Sequence, residues 1–427
     1  MKKTLILTVL ALMILCVGQA FGDPEIKTSG QIRLRCEFDN DPNNSFDTAA
    51  ATVNTTFLRT RFNVDATINE NTSAYIQFQD SRKFGTLNSS GIGVDTDDKV
   101  YLHQAYFKIN ELWENGIGLK AGRFEVNLGN QRVFGGVGWH NEGRTWDGME
   151  LICDGDGYAV SGYFLRPRDD FDTTESTDFN IFGLNAKIKS LNLELLAFLE
   201  KDAARVDTTI GVDTFTPTHD ALGRINLGLF FHRSHKQFDF ALNAVYQMGK
   251  RQIWEVTATD TGSVEEDIAA MMFTFEAGYT FDGKMKPRLA VGIDYSSGDD
   301  DATDDKFKAY NNLYYTGHKF RGYMDYFLAS KNSGLMDLMF RAKLNPVEGW
   351  TVKGDLHLFT TAVEYSYAGS NIKDRGMELD FSVATNKISG AKWVTGLSLF
   401  MPKEGFTMMT DNEDMTMWAY TMFIVGF

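Results

Sequence analysis

From residue 31 onward, apolar and polar residues alternate with a period of two, the pattern of strands that present one face to an apolar phase. In Gln31-Ile32-Arg33-Leu34-Arg35-Cys36-Glu37-Phe38 the apolar set is Ile32, Leu34, Cys36 and Phe38, while Arg33, Arg35 and Glu37 share the other face. Over 58–68, Phe62, Val64, Ala66 and Ile68 oppose Arg59, Arg61, Asn63, Asp65 and Thr67. The alternation recurs over 73–80, 100–110, 222–231, 238–248, 271–281, 288–295, 335–344, 350–360 and 377–385. It is fainter over 117–122, 148–153, 158–165, 180–188, 191–199, 392–401 and the final residues. The pattern predicts about 18 strands, an even number, as in bacterial single-chain membrane barrels.

The links between these segments alternate as well. Those over 39–56, 83–98, 124–145, 166–178, 200–220, 250–267, 297–333, 361–374 and 402–413 are long. Those in between are turn-like, as in Asn69-Glu70-Asn71-Thr72, Asp154-Gly155-Asp156-Gly157 and Asp282-Gly283-Lys284. With both termini periplasmic, short turns face the periplasm and long loops face outward. A soluble sandwich has no reason to alternate its links in this way. A plug-bearing transporter needs an extra plug domain and about 22 strands. In the last strand, ending Thr421-Met422-Phe423-Ile424-Val425-Gly426-Phe427, the side chains of Phe423, Val425 and Phe427 are predicted to face lipid. The terminal aromatic resembles the signal read by barrel-assembly machinery.

Composition narrows the class further. Lys2 and Lys3 precede an apolar stretch over 5–17, and Ala20-Phe21-Gly22 supplies a cleavage site, so residues 1–22 read as a signal peptide and Asp23 as the mature start. Bulky Leu15 before Cys16 argues against a lipoprotein. No later run reaches the roughly 20 apolar residues of a spanning helix. No Pro/Ser-rich linker divides the remainder, so residues 23–427 read as one domain. The expected fold is all-β: a transmembrane antiparallel β-barrel in the outer membrane of a Gram-negative cell, in contact with lipid and lipopolysaccharide. The formal charge of −15 disfavours nucleic acid as a partner. Only Cys36 and Cys153 remain after processing, which argues against a disulfide framework.

The candidate chemistry is concentrated in one link and one stretch of wall. The glycine-rich segment over 120–148 carries Lys120, Arg123, Arg132, Trp139, Asn141, Arg144 and Asp147. Glycines let a backbone bend inward, and arginine offers a planar donor fork suited to carboxylates. The link is therefore expected to enter the lumen, constrict it and select anions; alternatively Arg144 and Asp147 simply pin it to the wall. Arg33, Arg35, Arg59 and Arg61 lie on the polar face of two paired strands. Such adjacent guanidiniums are costly unless they meet anions or carboxylates. Glu37 and Asp65 offer the second outcome, an internal ion-pair ladder. The loops carry acidic runs, Asp95-Thr96-Asp97-Asp98, Asp169-Asp170, 299–305 and Asp411-Asn412-Glu413-Asp414. None has an EF-hand pattern, and His232 and His235 lack a third ligand, so neither a metal nor a cofactor is expected.

The run Gly122-Arg123 … Leu128-Gly129-Asn130-Gln131-Arg132 … Gly135 … Trp139-His140-Asn141-Glu142-Gly143-Arg144-Thr145-Trp146-Asp147-Gly148 resembles the core motif of the alginate export porins. A second likeness is Ser297-Gly298-Asp299-Asp300 followed by Asn312-Leu313-Tyr314-Tyr315-Thr316-Gly317-His318-Lys319-Phe320 and Gly322-Tyr323-Met324-Asp325. Phe124 and Val126-Asn127 depart from the family pattern. The resemblance implies a barrel whose basic lumen passes an anionic uronate polysaccharide, with periplasmic export partners. The leading expectation is thus a channel for anionic oligo- or polysaccharide, with a general or small-anion porin as the alternative. A barrel enzyme lacks a G-x-S-x-G elbow or a triad on one loop. An adhesin would leave the lumen charges unexplained.

Overall fold

The computed structural model describes residues 24–41, 52–84, 100–169, 178–203, 205–208, 215–219, 221–256, 261–301, 303–330, 332–367, 370–403 and 413–427. Residues 1–22, read as a signal peptide and including Cys16, and the acidic run at 95–98 lie outside them, as do Asp170, Asp411 and Asn412.

Alternation of side chains becomes a continuous hydrogen-bonded wall. The strands are β1 (Glu25–Asp39), β2 (Val53–Thr67), β3 (Thr72–Lys83), β4 (Tyr101–Leu112), β5 (Ile117–Phe124), β6 (Trp146–Asp154) and β7 (Tyr158–Arg168). There follow β8 (Phe179–Ile188), β9 (Leu193–Asp202), the short pair β10 (Arg205–Thr208) and β11 (Phe215–His219), β12 (Leu222–His235), β13 (Phe238–Val256) and β14 (Thr261–Thr280). The chain ends with β15 (Arg288–Ser296), the two-residue β16 (Lys306–Phe307), β17 (Leu335–Leu344), β18 (Trp350–Tyr367), β19 (Ser370–Ile388), β20 (Ala391–Pro402) and β21 (Thr416–Gly426). Setting aside β10, β11 and β16, each strand pairs antiparallel with its neighbours in sequence, and β21 pairs β1 from Gln31↔Gly426 to Asp39↔Trp418. The described residues thus form a closed barrel of 18 strands, as the alternation predicts. Closure leaves no unpaired edge, the condition for sheet in a bilayer.

One face of each strand points out and is apolar: Phe62, Phe107, Leu151, Phe273 and Phe340 are all exposed, as are Phe423, Val425 and Phe427 at the end of the chain. Short turns lie on the rim where β1 begins and β21 ends. Two links read as long are instead mostly strand. β13 runs to Val256 and β14 starts at Thr261, while β18 runs to Tyr367 and β19 starts at Ser370. In the first of these, Lys250, Arg251 and Gln252 stand opposite Asp267, Glu266 and Glu265. Charged residues fill both faces there, so the apolar period disappears while the backbone ladder continues.

The inner face is polar over β1–β3 but carries an apolar patch over β6–β9, flanked by buried Glu194 and Glu200. The main core of the molecule lies inside the barrel. Phe124, Val126, Leu128, Val133 and Phe134 pack there against Trp146, Leu165, Ile181, Phe198, Val245 and Met272 of the wall.

Candidate functional site

The link over 125–145 leaves β5 and turns into the lumen. Phe134 is its anchor, with ring centroids 4.7 Å from Phe198, 4.9 Å from Tyr314 and 5.6 Å from Trp146. The other long link, over 297–334, also enters the lumen, and the two meet backbone to backbone. Gly135 N–H donates to Tyr314 O (2.9 Å), Tyr314 N–H to Val133 O (3.0 Å) and Thr316 N–H to Gln131 O (3.0 Å). A Cβ on Gly135 would stand 2.1 Å from Thr316 Oγ1, so only glycine allows this approach.

The arginines of β1 and β2 hold the tip of the first link. Arg33 donates to Gly138 O (2.7 Å), His140 O (3.2 Å) and Asn141 Oδ1 (3.3 Å). Arg59 donates to Gly138 O (3.1 Å) and His140 O (3.2 Å), and Arg35 to Trp139 O (2.5 Å). All three are buried. Arg35 also meets Glu37 and lies 4.2 Å from the Trp139 ring centroid, on which the near-parallel His318 ring also stacks at 4.2 Å. Arg61 turns aside toward Gln79, His103 (3.0 Å) and Glu125 (3.5 Å). Burial works against the Glu125 charge, but His103 and Arg61 hold its carboxyl below the ordinary range. The ion-pair ladder is therefore partial: Arg33 and Arg59 face each other in register, and among the described residues neither has a carboxylate within ion-pair distance. Asp65 stands elsewhere, opposite Lys27 and Tyr75.

The opposite wall holds the second link through its carboxylates. Asp294 on β15 receives Arg132 from the first link (2.5 Å) and Arg321 from the second (3.2 Å). Asp294 is fully buried, so this one carboxylate ties both loops to the barrel. Burial works against the Arg321 charge, and Asp294 more than restores it, holding the guanidinium above its ordinary value. Glu378 on β19 accepts from Met324 N–H (2.8 Å), and Tyr326 Oη–H donates to Thr416 (2.8 Å). Behind them His357 Nδ1–H donates to Asp337 Oδ2 (2.7 Å), with Asp380 at 3.8 Å. The wall over β1–β3 is the more basic one, whereas over β15–β19 these carboxylates share the inner face with Arg288, Arg341, Lys343 and Lys353.

The remaining sequence candidates divide. Lys120 faces inward over the rings of Tyr106 (4.5 Å) and Phe124 (4.2 Å). Arg144 donates to Tyr315 O (3.3 Å), and burial pulls its guanidinium below the ordinary value. Asn141 Nδ2 reaches Leu58 O at 3.5 Å. Arg123 and Asp147 form a bidentate pair, but on the outer face and half-exposed. Their strands settle this: Phe124 and Trp146, the next residues, are buried inside. The expectation that Arg123 lines the lumen and that Asp147 belongs to the constriction is corrected accordingly. Sequence reasoning places Asp294 among the mixed charges of the wall but not its partners, and did not single out Arg321, Gln79 or Ser81; only the motif around 312–325 gave a signal for the second link.

Among curated proteins no relative matches. The fold is similar to crystal structures of Pseudomonas aeruginosa OccK9 (OpdG), with 11% identity, TM-score 0.58 and 95% and 98% of the two chains covered. It is also similar to a BenF-like porin from Pseudomonas fluorescens Pf-5 (12% identity, TM-score 0.56, 94% and 99% covered) and to Acinetobacter baumannii OccAB3 (10%, 0.57, 94% and 99%). At such identities the likeness concerns the fold. The alginate export family matches residues 25–373, from the first strand into the hairpin of β18 and β19. The closed barrel and this match together support an outer-membrane channel, and the chain belongs to the alginate export family.

Proposed function

We propose that this channel passes acidic oligo- or polysaccharide, such as a polyuronate, along the basic wall of β1–β3, after export of the chain by a signal in residues 1–22. The observation that carries the reading is the buried pair Arg33 and Arg59, opposed in register and supplied with neutral carbonyls rather than carboxylates. Like charges so placed repel one another, and an anion relieves the repulsion. Arg35, Arg61 and Lys120 extend the same positive wall. Among the described acidic loop residues, Asp300, Asp301, Asp305, Glu413 and Asp414 are exposed, and screening over about 8 Å at physiological salt blunts such charges. The reversal potential of single channels in a planar bilayer under a salt gradient tests the reading. Wild type is expected to favour anions, and Arg59→Gln with Arg61→Gln to shift toward cations. A wild-type channel that already favours cations would remove the physical basis of the proposal.

A further inference from the structure

We infer that Arg33, Arg35, Arg59, Gln79 and Ser81 form one binding strip for an acidic saccharide segment, and that residues 138–142 occupy it as a stand-in which the substrate displaces. This rests on the channel reading above and adds how the site is kept filled. Five consecutive carbonyl oxygens face the wall, each received by a side-chain donor. Gly138, Trp139 and His140 are held by the arginines as described. Asn141 O accepts from Ser81 Oγ–H (2.8 Å), and Glu142 O accepts from Gln79 Nε2–H (2.7 Å). The segment pairs with no strand of the wall; side chains alone hold it there.

The donors are arranged in rows. Arg33, Arg59 and Ser81 are in register across β1, β2 and β3, and Gln79 stands one row away opposite Arg61. Two strand spacings of about 4.8 Å make the row roughly 10 Å wide, the scale of a disaccharide. The lobe fills it incompletely. The Nε–H groups of Arg33 and Arg59 are buried with no hydrogen-bond partner. A carboxylate accepts two parallel N–H bonds from one guanidinium and brings the opposite charge, neither of which a peptide carbonyl does. A uronate chain, with a carboxylate on each ring and hydroxyls between, therefore matches the strip better than the protein's own backbone.

The lobe is built to leave. Its neck is closed by one backbone hydrogen bond, Arg144 N–H to Gly136 O (2.9 Å), and Gly143 sits at φ +86°, a conformation that suits glycine. A cavity of about 240 Å³, lined by Arg35, Glu37, Asp39, Trp139, His140 and Asp325, lies against the lobe and leaves it room to move. Leaving costs the stacking of Trp139 between Arg35 and His318, so the lobe stays seated without substrate.

Block of single-channel current by a uronate hexamer, compared with its carboxyl-reduced neutral counterpart, tests the inference on the full-length protein in planar bilayers. Replacing 138–142 with two glycines removes the competitor. It should tighten block by the uronate by about tenfold, the worth of roughly one charge-assisted hydrogen bond, and leave the neutral hexamer unchanged. Asn141→Asp sets a carboxylate where the amide oxygen lies 3.3 Å from Arg33 and should weaken uronate block several-fold. The Asn141→Asp variant keeps the shape of the side chain, so it decides the matter if the deletion fails to insert. Uronate block that is unchanged or tighter in Asn141→Asp overturns the inference, as does a deletion that shifts both hexamers alike. If wild type discriminates between the hexamers while neither variant moves the constant, the stand-in fails and the channel reading stands. If wild type does not discriminate at all, both fall.

Discussion

Asp294→Asn removes the one carboxylate that ties both inward loops to the wall, and its effect follows from the partners on each side. Arg321 keeps Ser296 Oγ (2.6 Å), Ser330 Oγ (2.8 Å) and Asn312 Oδ1 (3.0 Å) as acceptors. Among the described residues, Arg132 keeps only the Phe320 ring, 4.1 Å from its guanidinium carbon. Breaking a buried ion pair by deleting one partner costs about 3–5 kcal/mol. Because asparagine still offers a carbonyl and Arg321 is otherwise satisfied, the lower end, about 3 kcal/mol, applies. At about 1.4 kcal/mol per decade this makes undocking of the paired loops about a hundredfold more frequent. Hydrogen exchange by mass spectrometry on protein in lipid nanodiscs reads this directly, since exchange of protected amides tracks the local opening equilibrium. The amides of Gly135, Tyr314 and Thr316, which bond across the two loops, should exchange about a hundredfold faster, while those of β13 and β14 remain unchanged. Adding Arg132→Met should restore part of the protection, because the uncompensated charge is then gone. Unchanged exchange in the loops would refute the claim that Asp294 is their common anchor. Equal acceleration in the barrel strands would show that the residue supports the wall rather than the loops.

Further outcomes follow from the same geometry. Gly135→Ala places a methyl group 2.1 Å from Thr316 Oγ1, so the two loops must separate; single-channel records should become noisier and more conductive while the barrel still migrates as a heat-modifiable folded species on gels. Arg123→Gln should leave ion selectivity unchanged and cost less than about 1 kcal/mol in denaturant unfolding, because its pair with Asp147 lies exposed on the outer face. A selectivity shift in that variant comparable to that of the Arg59 and Arg61 substitutions would contradict the assignment of faces.

The barrel was legible because its strongest strands have unlike faces. Over β1 and β2 the outward Ile32, Leu34, Phe62 and Val64 contrast with inward arginines, and register follows from that contrast alone. The fainter strands have a physical reason: β7, β8 and β9 place Leu165, Ile181 and Phe198 inward against the first loop as well as apolar residues outward, which erases the alternation. The strand extension beginning at 250–252 was lost for the opposite reason, since Lys250, Arg251 and Gln252 put polar residues on both faces. The arginine cluster could be read from β1 and β2, but not its occupant, since carbonyl acceptors leave no mark in side-chain chemistry. Arg123 was misplaced because it was read with the glycine-rich loop, whereas its parity with Ile117 and Leu119 puts it outside. Gln79 and Ser81 carry no charge to draw notice, and Asp294 meets Arg132 from 162 positions away.

The central claim is that the lumen favours acidic saccharide through the wall of β1–β3. Flux into liposomes containing the purified channel tests it most directly, with a uronate trisaccharide and its carboxyl-reduced neutral analogue supplied at equal concentration. The account predicts faster entry of the acidic trisaccharide at low salt, a preference that shrinks as salt is raised and is lost in Arg33→Gln with Arg59→Gln. Equal or faster entry of the neutral sugar into wild-type liposomes, at low and high salt alike, would contradict it.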